Sequence, residues 1–423
     1  GGGLRSLAPL PHVGAVIAAD DAERIERLLR TLLRRAEERG ARLAAASAAT
    51  LGEYRAAAGP GEPRILLLVD GYPAFREAWP DGRGGRPALH SAFEELLSSG
   101  HRVGIHVVLS ADRPGAVPAA VAAHLGRRIV LRLADESGYR LLGLPRDALG
   151  EDPPPGRALV DGLETQLAVI GGSGAAGAPG SAAAQAAAIR ELAGAEPLAT
   201  APPIGRLPAV LAPAQLPDRV GGLPALGLAE DTLDPLGFDP SGILLLAGPP
   251  GSGRSAAFLA ILGATARAHP AHELVYLGHP RSAAAADPGW SLRATGPEAV
   301  ASLAEQLRAR LEADASPLLA IGVESIADFL RTPAEAPLTE LVRLVRRTDG
   351  LLLAEQEVSG WTRPWPLLAE VRNARRGLLL QPDPADGELL LRTPIPRLPR
   401  EAMCPGRGLY VERGRAVRVQ LPL

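Results

Sequence analysis

Eight residues, Gly248-Pro249-Pro250-Gly251-Ser252-Gly253-Arg254-Ser255, follow directly on the apolar run Ile243-Leu244-Leu245-Leu246-Ala247, and no other stretch constrains the fold of this chain as tightly. A continuous apolar run of that length reads as a strand buried on both faces of a parallel sheet, because a strand with one wet face would alternate. Three glycines at this spacing let successive backbone N–H groups converge on phosphate oxygens. A helix opening immediately afterwards adds the positive end of its dipole. The Ala-rich segment after Ser255 supplies that helix. Gly248, Pro249, Pro250, Gly251, Ser252, Gly253, Arg254 and Ser255 are therefore the candidate nucleotide contacts, with the Ser255 hydroxyl placed to ligate a Mg²⁺ carried in by ATP. Arg254 stands where lysine is usual. A planar guanidinium is bulkier than an ammonium, which predicts phosphate binding from a displaced position and weak or no hydrolysis.

The same apolar runs recur along the chain. Arg64-Ile65-Leu66-Leu67-Leu68-Val69-Asp70-Gly71 and Ile105-His106-Val107-Val108-Leu109-Ser110 read as buried strands, as do Leu274–Leu277, Leu318–Ile321 and Leu351–Ala354. Between them lie helical patterns. Ile25, Leu28, Leu29, Leu32, Leu33 and Ala36 share one helical face with Gly40 placed to end it, and Pro297 opens a helix carrying Val300, Leu303, Leu307 and Leu311. Alternating strands and helices give an α/β fold with mainly parallel sheets flanked by helices. Residues 173–203 turn to Ala, Gly, Ser and Pro, with one Ala-rich helix near Ala182–Leu192, and read as a linker between a first domain at 1–172 and a second at 204–423.

The two halves repeat three landmarks in the same order. An acid ends a buried strand at Asp70 and at Glu324; an arginine pair precedes a strand at Arg127-Arg128 and at Arg375-Arg376; Pro155-Gly156-Arg157 and Pro405-Gly406-Arg407 open a closing hairpin. Two copies of one module are expected, the first lacking its N-terminal half. Asp70 and Glu324 are the candidate catalytic acids, since a strand-end carboxylate beside a phosphate loop holds Mg²⁺. Neither has a second acid next to it to orient water: Gly71 and Ser325 follow.

Composition excludes several classes. With 423 residues, 46% of them hydrophobic, the chain has material for two cores and is not a disordered protein. It contains no lysine, so its 45 basic residues are all arginines, nearly balanced by 47 acids; a net charge of −2 exerts no global pull on nucleic acid. One cysteine, Cys404, rules out an intramolecular disulfide framework and fits a reducing, cytosolic setting. No apolar run approaches the roughly 20 residues that span a bilayer. The start at Gly1, without an initiating Met, is read as the loss of an upstream portion in which a membrane anchor could lie.

The segment Gly104-Ile105-His106-Val107-Val108-Leu109-Ser110-Ala111-Asp112-Arg113-Pro114 resembles the strand and sensor loop of the FtsK/SpoIIIE family, G-I-H-hydrophobic-A-T-Q-R-P, with Asp112 in place of glutamine. Pro240-Ser241-Gly242 before the phosphate loop resembles that family's approach to its Walker A motif. The resemblance implies tandem RecA-like P-loop NTPase modules binding ATP and Mg²⁺. It also implies partner modules or a homo-oligomeric ring in which Arg127, Arg128, Arg375 and Arg376 could reach a neighbour's nucleotide. As function it implies an ATP-driven translocase, with double-stranded DNA the first expected substrate. The alternatives are a secreted protein moved by an EccC-type ATPase of type VII secretion, and a catalytically dead docking module. His106, Trp361 and Trp365 are read as packing residues.

Overall fold

The computed structural model describes residues 3–59, 61–79, 88–146, 148–150, 152–171, 180–194, 200–313, 318–398 and 403–422. The chain divides into two compact units, Gly1–Gly205 and Arg206–Leu423.

In the first unit the helix Ala22–Ala45 starts at Asp21, whose side chain accepts the N–H of Arg24. Its apolar stripe, Ile25, Leu29 and Leu32, packs on a two-stranded parallel sheet of β1 (Ile65–Val69) and β2 (Ile105–Leu109), together with Phe93 and Leu96 of the helix Ala88–Ser99. The first helix runs straight through Gly40 instead of ending there. Beyond Gly40 it gains burial of Leu43, and just before it Arg39 donates to the carbonyls of Val103 at 3.0 Å and Pro63 at 2.8 Å. Those gains exceed the roughly 1 kcal/mol that a glycine costs a helix interior. A second, antiparallel sheet of β3 (Ile129–Leu131), β4 (Arg157–Val160) and β5 (Leu163–Gln166) completes this unit's strands.

Part of the stretch read as a linker is tied to the first unit. The helix Ala182–Gly194 buries Ala184 and Ile189. Ala201 donates to Pro11, and Arg24 and Arg27 donate to the carbonyls of Ile204 and Gly205. Residues 173–179 and 195–199 of that stretch lie outside the described residues.

The second unit is built on an eleven-stranded sheet. Its strands are β6 (Arg219–Val220), β7 (Leu223–Ala229), β8 (Pro235–Gly237), β9 (Gly242–Gly248), β10 (Glu273–Gly278), β11 (Leu292–Thr295), β12 (Leu319–Val323), β13 (Leu351–Glu357), β14 (Gly377–Leu380), β15 (Arg407–Glu412) and β16 (Arg415–Gln420). The order is β11-β10-β12-β13-β9-β14-β15-β16-β7-β6, with β8 on β7; the members from β11 to β14 are parallel and the remainder antiparallel. Helices cover both faces of the parallel part. Pro297–Glu312 and Glu335–Val345 bury Ile321, Val323, Leu352 and Ala354 on one side; Arg254–Ala268 buries Ala320, Leu351, Leu353, Leu378 and Leu380 on the other.

Register makes the repeat concrete. Val69 faces Leu109 as Val323 faces Ala354, and Val130 faces Leu159 as Leu379 faces Leu409. The second match shifts the arginine landmark by one residue, so that Arg127 aligns with Arg376. In the second unit β9 joins β13 to β14, whereas in the first the corresponding β2 and β3 belong to separate sheets. Expected burial of β1 and β2 on both faces is therefore not met. Leu66, Leu68, Val108, Ile129 and Leu131 are each at least 41% exposed. They match Ala320, Gly322, Leu353, Leu378 and Leu380, the positions that pack under the helix Arg254–Ala268. No described element plays that part in the first unit. Val108→Ser is accordingly expected to change its stability by less than about 1 kcal/mol in urea denaturation followed by circular dichroism. A loss of several kcal/mol would mean that this face is covered.

Candidate functional site

The phosphate loop joins β9 to the helix Arg254–Ala268, as its spacing predicts. Gly251 and Gly253 adopt φ of +77° and +89°, a region that side chains with a Cβ avoid, and this allows the chain to reverse and enter the helix within a few residues. Hydrogen bonding inside the helix begins with Ala257 N–H to the Gly253 carbonyl, which leaves first-turn N–H groups without intrahelical acceptors. The Ser252 hydroxyl, only 4% exposed, has no partner among the described residues. A buried orphan hydroxyl beside free helix-terminal donors is what an anion would satisfy, so the cradle fits a nucleotide's phosphates.

The candidate acid Glu324 follows β12 directly and meets the loop. Ser255 Oγ donates to Glu324 Oε1 at 3.2 Å, and the Tyr276 hydroxyl on β10 donates to Glu324 Oε2 at 2.6 Å. Burial, and then the hydrogen bond to Glu324, push the Tyr276 hydroxyl pKa well up, so Tyr276 remains a donor. Ser255 Oγ and Glu324 Oε1 form the pair of hard oxygens that Mg²⁺ would share with phosphate.

Arg254 is held at the start of the loop. Its Nη1 donates to the Gly248 carbonyl at 2.5 Å, and its Nε lies 2.5 Å from Oε1 of Glu355, an acid on β13 that is 2% exposed. The other Glu355 oxygen accepts the Ser325 N–H at 2.9 Å. Burial pushes the Glu355 carboxyl up; the Ser325 N–H and the Arg254 charge oppose that shift, and the nearby Glu324 adds to it. Sequence reasoning did not single out Glu355 or Tyr276. The available signal for Glu355 was an acid directly after the apolar run Leu351–Ala354.

Asp70 lies in the first unit, exposed at the end of β1, where it accepts from Ser110 Oγ at 3.0 Å while the Gly71 N–H donates to the same hydroxyl at 2.8 Å. Gly71 and Ser325 are both left-handed, so the residue after each acid takes the same turn. His106 is half-buried on β2. Among the arginines, Arg376 is engaged with the carbonyls of Ser241 and Asp239 and is not free to reach outward, while Arg127 pairs with Asp161 and Arg128 and Arg375 are exposed. Trp361 is fully buried, its indole N–H shared between the carbonyls of Leu246 and Gln356; Trp365 lies beneath the Arg331 guanidinium, 5.0 Å from its ring centre.

The FtsK/SpoIIIE family profile matches residues 1–145. The ESX secretion system protein EccC of Thermomonospora curvata is 29% identical over 248 residues, which are 56% of this chain and 18% of that protein. A solved structure of its ATPases 2 and 3, in complex with a signal sequence peptide, superposes over 100% of this chain and 80% of its own length with a TM-score of 0.72 at 27% identity. Residues 1–145 carry the FtsK/SpoIIIE family pattern, and the chain as a whole resembles the tandem P-loop ATPase modules of EccC. The ESX-3 secretion system protein EccC3 of Mycobacterium tuberculosis is 35% identical over 173 residues, 39% of this chain and 12% of EccC3. ATPases 2 and 3 of EssC from Geobacillus thermodenitrificans share the fold, with a TM-score of 0.72 over 100% of this chain and 83% of theirs at 17% identity. The match thus covers less than a fifth of these two EccC proteins' own length. Among its described residues no helix is long and apolar enough to cross a membrane.

Proposed function

We propose that this chain is part of a type VII secretion ATPase, and that its second unit binds ATP with Mg²⁺ and turns it over slowly or not at all. The observation that carries this reading is the meeting of the glycine cradle, the unpartnered Ser252 hydroxyl and the Ser255–Glu324 pair at 3.2 Å in one place. Backbone N–H groups of Gly251, Gly253, Arg254 and Ser255 would hold the β- and γ-phosphates, and Ser255 with Glu324 would hold Mg²⁺, which neutralises phosphate charge when bound. Tyr276 keeps Glu324 oriented.

Protein export is preferred to DNA movement as the wider role. The matched relatives are secretion proteins by name, one was solved with a signal sequence peptide, and the net charge of −2 offers no general attraction for a phosphate backbone. The partners that go with this reading are neighbouring ATPase modules and a secreted protein bearing such a signal. Millimolar Mg-ATP should stabilise the second unit against heat by about 1–3 kcal/mol. No shift with any nucleotide would overturn the binding role; binding of duplex DNA at physiological salt, with none of a type VII signal peptide, would overturn export.

A further inference from the structure

In the nucleotide-binding reading, the basic residue of the loop is the group that meets phosphate, yet here it is already paired with a buried acid. We propose that Glu355 is a resident competitor for the phosphate loop: its carboxylate holds Arg254 at the Gly248 end of the loop, and a nucleotide phosphate must displace it to bind. This rests on the nucleotide-site reading and adds how the site is regulated.

The repeat separates the two jobs that Glu355 performs. At the matching position of the first unit stands Ser110, whose hydroxyl accepts the N–H of the left-handed residue after the strand-end acid, Gly71. Glu355 does the same for left-handed Ser325. A neutral hydroxyl therefore suffices to support this turn, and the negative charge at Glu355 is not needed for it. What the charge does instead is satisfy Arg254, at 2.5 Å.

Position makes the competition costly for a ligand. Glu355 is 2% exposed and has Glu324 as its acidic neighbour, so moving Arg254 onto phosphate strands a buried carboxylate beside another. Binding must overcome that penalty before it gains the contact with Arg254. A free phosphate loop has no such threshold, and its affinity is set by the cradle alone. Glu355 thus raises the nucleotide concentration at which the site fills.

Two substitutions in the whole chain test this. Glu355→Gln removes the charge and keeps an acceptor for the Ser325 N–H; Glu355→Ser copies the first unit and guards against a folding defect in the first variant. Calorimetric titration with Mg-ATP, and with tripolyphosphate as a probe lacking base and sugar, should show both ligands binding about tenfold more tightly to each folded variant than to the unaltered chain. Binding by the variants alone, with the unaltered chain silent, supports Glu355 as the competitor and at the same time overturns the binding role of the unaltered chain. If the unaltered chain binds Mg-ATP and the folded variants bind it equally or less well, Glu355 is not a competitor, although the nucleotide site stands. If no protein binds at millimolar ligand, the nucleotide reading falls and the competitor with it.

Discussion

Phe258→Ala is expected to destabilise the second unit by about 3–5 kcal/mol, the range for deleting a fully buried aromatic ring from a packed core. Phe258 is 0% exposed on the phosphate-loop helix and meets Tyr276 edge-on, with ring centres 6.4 Å apart, and Trp290 at the same separation. Its ring tip fills the space above Gly322 on β12, where an added Cβ would lie 2.3 Å from it. The cavity left by alanine faces sheet backbone on one side and the neighbouring rings on the other, so little can collapse into it. Urea denaturation of the whole chain followed by tryptophan fluorescence measures the loss, since Trp290, Trp361 and Trp365 all report from the second unit. A cost below about 1.5 kcal/mol would mean that the helix is held by its loop and not by this packing.

The other large effect concerns turnover. Steady-state ATP hydrolysis by this chain alone is expected to be at least about a hundredfold below the 1–100 s⁻¹ of ordinary phosphoryl-transfer enzymes. A water-orienting carboxylate is the missing part. Ser325 follows Glu324, and Glu355, the nearby alternative, is taken by Arg254 and the Ser325 N–H. Both Glu324 oxygens are engaged as well, one by Ser255 and one by Tyr276. Phosphate release measured under saturating Mg-ATP decides the matter, and turnover within the ordinary range would show that another residue supplies the base. Adding a carboxylate by Ser325→Glu should not restore activity while Glu355 holds Arg254.

Much of the fold was legible because burial on both faces of a parallel strand leaves a plain trace in sequence. The runs at Ile243, Leu274 and Leu351 all became interior strands, and the glycine spacing located the loop between β9 and its helix. Local pattern failed where long-range contacts outweighed it. Gly40 looked like a helix end, yet Leu43 packing and the Arg39 hydrogen bonds carry the helix past it. The run Ile65–Val69 is as apolar as the others, yet one of its faces stays exposed. Apolar composition states what a strand can bury, and only the fold decides what arrives to cover it.

The site divides along the same line. Sequence by itself determined the glycine-rich loop between strand and helix and the α/β plan, and it determined that no second acid follows Asp70 or Glu324, because these depend on residues adjacent along the chain. Tertiary structure alone decided how the cradle is wired. Arg254 and Glu355 stand about a hundred residues apart, and their pairing exists only because β13 lies beside β9, with Glu355 in register with Leu246 near the loop's start. Tyr276 reaches Glu324 only because β10 and β12 are neighbours. A side chain's chemistry is written in its identity, but the charge it meets inside a protein is set by strand order and register, which no local pattern encodes.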